Sequence, residues 1–159
     1  MKPTGRTAIA QNRRARHDYD ILDEVEAGVS LLGSEVKSLR EGRVQLVDGF
    51  ARVDERGQMW LENVHISPYK FAVGFGAHDP ERRRRLLMHR AEIDRLRARV
   101  MQEHLSLIPL SMYFNEDGRV KVLLALAKGR RKSDKRQALA KADAQRDIQR
   151  ELARRRKQG

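Results

Sequence analysis

The chain has 159 residues, with 34 Lys or Arg against 22 Asp or Glu and a formal net charge of +12. That is room for one domain and an appendage, with a bias toward polyanionic partners. Cysteine is absent, which excludes disulfides, thiol nucleophiles and Cys-based zinc sites. No apolar run approaches the roughly 20 residues of a membrane span, and none follows the N-terminus, so a cytoplasmic protein with no signal peptide and no membrane partner is expected.

The charge is unevenly placed. Residues 129–159 hold twelve Lys or Arg against Asp134, Asp143, Asp147 and Glu151, so +8 of the +12 lies in the last 31 residues. The expected organisation is a mildly basic folded body over 1–128 and a strongly basic tail over 129–159. A terminal basic run on a soluble chain points first to nucleic acid.

Residues 1–17 carry few large apolar side chains and read as an extended basic arm, able to lie along phosphates or simply fray. From Tyr19 to Leu31, Val25, Ala27, Val29 and Leu31 alternate with Glu24, Glu26 and Ser30, the period of a half-buried strand. Gly28 inside it suggests a bulge or bend. Gly33–Gly42 reads as a short helix with Ser34 as N-cap and Gly42 just past the end. Val36 and Leu39 form its apolar stripe.

Two strands follow at about Val44–Val53 and Gln58–Ile66, joined as a hairpin by Asp54-Glu55-Arg56-Gly57. Pro68 ends regular pairing. A loop over 70–80 precedes a helical region from Glu81 through Arg82-Arg83-Arg84-Arg85, with Leu86, Ile93, Leu96, Val100 and Met101 as its stripe. Four consecutive arginines cannot all face one ligand on a helix; one or two meet phosphate, or all form a solvated face. Two last strands, about 105–114 and 119–128, flank a turn at Asn115-Glu116-Asp117-Gly118. Five or six antiparallel strands with two or three helices make a small barrel. In the tail, Ala144, Ile148 and Leu152 form a stripe too thin to anchor it, so it is expected to be disordered when free and helical when bound.

Ile9-Ala10-Gln11-Asn12-Arg13-Arg14-Ala15, His17-Asp18-Tyr19, Glu26-Ala27-Gly28 and Gly33-Ser34-Glu35-Val36-Lys37-Ser38-Leu39-Arg40-Glu41-Gly42 resemble the SsrA-binding protein family, also called small protein B. So do His65-Ile66-Ser67-Pro68-Tyr69, Arg85-Leu86-Leu87-Met88-His89-Arg90, Ile108-Pro109-Leu110, Lys128-Gly129-Arg130-Arg131 and Asp134-Lys135-Arg136, in the same order. The resemblance implies an OB-fold-like antiparallel β-barrel, mainly β with flanking α-helices. It implies binding of the tRNA-like domain of transfer-messenger RNA and its delivery to stalled ribosomes for trans-translation. The tail then probes the decoding centre and the empty messenger channel. It implies elongation factor Tu as a partner through the shared RNA. No cofactor, metal or enzymatic activity is expected, and a monomer is the expected working unit.

By matched motif, the resemblance implies RNA contacts at Asn12, Arg13, Glu35, Lys37, Ser38, Arg40, His65, Tyr69, Lys121 and Lys128. Glu35 could instead only complement the helix dipole, His65 could be a core histidine and Tyr69 a core aromatic. In the tail, Gly129, Lys132, Asp134, Lys135 and Arg136 match the ribosome-facing segment. Ser133 stands where relatives usually carry Tyr or His, and cannot supply the stacking worth about 1–3 kcal/mol on a base. Glu35, Asp48, Glu62 and His65 would be the donors of a two-metal nuclease, but there is no HExxH, no P-loop and no tight carboxylate cluster. A generic RNA-binding barrel is the other alternative; it would bind structured RNAs alike, with a steep salt dependence.

Overall fold

The computed structural model describes residues 6–71 and 77–129. Nine strands and three helices lie among them: β1 (Thr7–Gln11), α1 (Ala15–Asp18), β2 (Tyr19–Val29), α2 (Gly33–Arg40), β3 (Val44–Gln45), β4 (Phe50–Val53), β5 (Met59–Glu62), β6 (His65–Ile66), β7 (Arg84–Leu87), α3 (Arg90–Glu103), β8 (Ser106–Phe114) and β9 (Val120–Gly129). The main sheet runs β1-β8-β4-β5-β7-β2-β9, and β8 also pairs with β9. That second pairing closes six strands into a ring, all antiparallel, with β1 added outside β8. Closure removes the open edges of those six strands, which would otherwise invite aggregation. The fold is therefore mainly β with flanking helices, an OB-like barrel.

Long alternating segments pair as the sequence implies. β2 runs against β9 from Tyr19↔Gly129 to Gly28↔Lys121, and β8 against β9 from Ser106↔Ala127 to Phe114↔Val120. Their inward residues, among them Val122, Leu124, Leu126, Leu107 and Met112, fill the barrel. Met59, Leu61 and Leu86 close it from β5 and β7, Leu39 from α2, and Ile93 and Leu96 from α3. Pro109 sits at a register shift of β8, where a residue with no N–H costs the ladder least.

Five expectations change. The arm over 1–17 contains a paired strand, β1 on β8, and a single helical turn, α1. The bulge in β2 falls between Ile21 and Asp23, leaving Leu22 half exposed; Gly28 keeps register. A Cβ at Gly28 would lie 3.3 Å from Leu87 Cβ, so glycine there permits close strand approach. The Val44–Val53 strand is two strands, because a turn with Gly49 N–H donating to Leu46 O at 2.8 Å intervenes. It reverses the side-chain parity, so Phe50 points outward and Ala51 inward. The Gln58–Ile66 strand is likewise split, at Asn63 with φ +61°.

The largest change is at the arginine run. Arg84–Leu87 is a strand, and α3 begins only at Arg90. Arg84 and Leu86 point inward at 0% and 1% exposure, while Arg85 and Leu87 point outward. An arginine in an inward position hides the two-residue period.

Candidate nucleic-acid interface

Glu35 organises the first part of the site from inside. Its carboxylate is completely buried. Oε1 accepts from Leu32 N–H at 2.8 Å and from Arg82 Nη2 at 2.6 Å. Oε2 accepts from Arg84 Nε at 2.7 Å and meets Arg84 Nη2 at 2.6 Å. Arg84 spends its other N–H groups on carbonyls, Val64 O at 2.6 Å and Pro80 O at 3.2 Å. Burial opposes the charge on Glu35, but the hydrogen bonds of Arg82, Leu32 and Arg84 outweigh it and hold the carboxyl below its usual range. Burial in turn lowers Arg84, and Glu35 offsets that.

Glu35, which the resemblance implies as an RNA contact, presents no surface to solvent here; it ties the first turn of α2 to β7 and to the carbonyls before it. Ser34 is not the N-cap of α2, which begins at Gly33 with Leu32 in the N-cap position, two residues before Ser34. Its Oγ instead lies 2.8 Å from His78 Nδ1, whose Nε2 lies 2.9 Å from Ile66 O. Ser38 is also fully buried, donating to Ser67 O at 2.7 Å, so it fixes the far side of α2.

These buried bonds leave the outer face of α2 to Lys37 and Arg40, both exposed. Lys37 Nζ stands 5.5 Å from the Tyr69 ring centroid, and the Arg40 guanidinium 5.4 Å from that of Phe114. Tyr69 meets Phe71 edge-to-face at 5.4 Å and is partly exposed, so it is not a core aromatic. A cation beside an aromatic face suits a phosphate next to a base. His65 is partly exposed too, with Nδ1 2.5 Å from Glu81 Oε1.

The remaining residues lie elsewhere on the barrel. Asn12 is buried at 8% exposure; Nδ2 donates to Pro109 O at 3.0 Å, and buried Oδ1 has no hydrogen-bond partner among the described residues. Arg13 is exposed beside it, in a cavity of about 600 Å³ shared with Gln11, Arg16 and Ser111. Lys121 sits at the start of β9 opposite Gly28, and exposed Lys128 near its end opposite Asp20. Seven strand positions separate these two lysines by about 23 Å, so they serve different parts of any ligand. Gly129 closes β9 against Tyr19. Lys132, Asp134, Lys135 and Arg136 lie outside the described residues.

Sequence reasoning missed a cluster that reaches across β9 from β8 to β2. Tyr113 donates its hydroxyl to Glu26 Oε2, and the Arg6 guanidinium lies 4.8 Å from the Tyr113 ring centroid. Burial and the Glu26 hydrogen bond push the Tyr113 hydroxyl up to about 12. The partners are 87 residues apart, so no local pattern announces them. Among the described residues no group of three or more His, Cys, Asp or Glu is placed to hold a metal. Of the four donors considered for a nuclease, Glu35 faces Arg82 and Arg84, Glu62 faces Arg52 and His65 faces Glu81. No described helix is long and apolar enough to cross a membrane.

The model of the SmpB protein family matches residues 9–154, through barrel and tail alike. The chain belongs to the SmpB family. It is similar to the SsrA-binding protein of Saccharopolyspora erythraea, 57% identical over 98% of this chain and 97% of that one. The SsrA-binding protein of Mycobacterium leprae is 54% identical over 96% and 94%. A solved chain, described with the words "tmRNA-SmpB: a journey to the center of the bacterial ribosome", superposes with a TM-score of 0.64 at 51% identity, covering 76% of this chain and 83% of that one. As a member of the SmpB family, the chain couples this barrel to a cationic surface and a basic C-terminal extension.

Proposed function

We propose that this protein binds the tRNA-like domain of transfer-messenger RNA and carries it to ribosomes stalled on a messenger without a stop codon, where a peptide tag is added. The observation that supports it is the family match running through body and tail together. The relatives are described as SsrA-binding, and the solved neighbour's description joins tmRNA to the bacterial ribosome.

On this reading the two electrostatic parts divide the work. The barrel, residues 1–128, presents rigid cations that recognise a folded RNA by shape, phosphates and 2′-hydroxyls. Lys37, Arg40, Tyr69, Lys121 and Arg13 supply direct contacts, Lys128 extends them along β9, and His65 borders them. Glu35, Ser38 and Asn12 act from beneath, as supports for that surface. The tail, residues 129–159, competes with messenger for the channel and becomes helical there, with Gly129, Lys132, Asp134, Lys135 and Arg136 facing the ribosome. Ordering on arrival keeps the test reversible, since folding entropy lowers net affinity. The protein works as a cytoplasmic monomer, without catalysis of its own, and meets elongation factor Tu through the shared RNA.

The test is a reconstituted translation reaction on a messenger lacking a stop codon, supplied with SsrA RNA. The full chain supports tagging. A chain ending at Gly129 still binds the RNA but does not support tagging. Equal tagging by both chains contradicts the assigned role of the tail.

A further inference from the structure

On the outer face of the barrel, Trp60 of β5 pairs with Arg52 of β4 on one side and with Arg85 of β7 on the other. It is the sole tryptophan of the chain. Its indole is fixed in the ring plane: Nε1 donates to Asp54 Oδ2 at 2.8 Å. Asp54 is itself fixed, because Oδ1 accepts from the N–H groups of Arg56 and Gln58, both at 2.9 Å, in the hairpin turn. Arg83 lies over the ring with its guanidinium carbon 4.0 Å from the centroid. Both Arg83 and Arg85 are exposed, and neither forms a salt bridge with a described residue. Arg52, also exposed, is held by Glu62.

The result is a layered platform. A hydrogen-bonded turn holds a carboxylate, the carboxylate holds an indole, and the indole carries a guanidinium over its face. Long arginines ordinarily lose rotamer freedom on binding; this one has lost part of it beforehand. The planar face of an arginine guanidinium can stack on a base, and Arg52 and Arg85 sit on the strands either side of Trp60, each one strand spacing of about 4.8 Å from it along the sheet. The platform is also continuous with the proposed RNA surface. Arg85 and Leu87 share the outward face of β7, Leu87 pairs with Gly28, and Gly28 pairs with Lys121.

We infer that the Trp60–Arg83 stack, flanked by Arg85 and Arg52, is an additional RNA-binding surface that takes an unpaired nucleotide of the same RNA read by Lys121, with its base on Arg83 and its phosphates on Arg85 and Arg52. The inference rests on the RNA-binding reading above and extends the contact surface across β2 and β7 to the β4–β5 hairpin.

The sole tryptophan makes the test direct. The full-length protein is titrated with the tRNA-like domain of SsrA RNA at near-physiological salt, following Trp60 emission, while filter binding reports affinity independently. Saturable quenching with the midpoint given by filter binding is expected. Arg83→Gln should weaken binding by about 5- to 20-fold, in line with loss of one stacked base. Arg85→Gln should reduce the slope of log affinity against log salt by about one. Both side chains are exposed, so thermal unfolding should be unchanged in Arg85→Gln and fall only slightly in Arg83→Gln, which loses one exposed cation–π contact, and the wild-type titration needs no variant at all. If filter binding shows the complex while Trp60 emission stays constant and Arg83→Gln binds like the parent, this surface is not used, and the RNA-binding reading survives. Quenching by ribosomes but not by the tRNA-like domain overturns the assignment to that RNA. No binding in either assay overturns both.

Discussion

Glu35→Ala is expected to lower the free energy of unfolding by about 3–5 kcal/mol, because it leaves two arginines, one wholly buried, without their counter-ion. Domains of this size are stable by only about 5–15 kcal/mol, so the variant sits near the edge of folding. A denaturant melt measures it. Any RNA-binding loss in this variant then follows from displacement of α2, and the same loss should appear in Arg84→Ala, which touches no solvent. A melt within about 0.5 kcal/mol of the parent would show that the pair does not hold α2. The pH dependence has a definite sign. The Glu35 carboxyl is lowered in the folded state, so its stabilisation is fully present above the pKa of the unfolded chain's carboxylate. It is lost as pH falls through the lowered folded value. Glu35→Gln should therefore lack that part of the acid-induced destabilisation.

Lys37→Ala combined with Arg40→Ala should do the reverse: leave the fold intact and damage binding. Their ring contacts with Tyr69 and Phe114 are at exposed positions, each worth about 0.5–1 kcal/mol to stability. Two phosphate contacts removed should flatten the salt dependence of log affinity by about two, and weaken binding by about 10- to 50-fold near physiological salt. The measurement is affinity for the tRNA-like domain across a salt series. An unchanged slope would place the RNA away from α2.

These two predictions separate what was readable in the sequence from what was not. Alternation exposed β2, β8 and β9, and the Asp54–Gly57 turn exposed the β4–β5 hairpin. β7 escaped because its first inward residue is Arg84, whose partner Glu35 is 49 residues away. Two expected single strands are broken by a turn at Gly49 and a left-handed backbone at Asn63, which a count of apolar residues does not register. Lys37 and Arg40 lie off the Val36–Leu39 stripe, and it is the family resemblance that marks them as RNA contacts. Glu35 carried the same local pattern, and only the fold shows that it faces inward. Trp60 and Arg83 are separated by 23 positions of sequence, so their stack too is a product of strand pairing.

The most direct test of the central claim is affinity for the tRNA-like domain of SsrA RNA at near-physiological salt with excess ordinary tRNA present. The full chain, a chain ending at Gly129, and the full chain carrying the Lys37 and Arg40 substitutions are compared. If the barrel is the RNA reader, the truncated chain keeps most of the selective affinity and the substituted full chain loses it. If the truncated chain binds no better than any basic protein, and the substituted chain binds as the parent does, the tail carries the affinity and the barrel assignment is wrong.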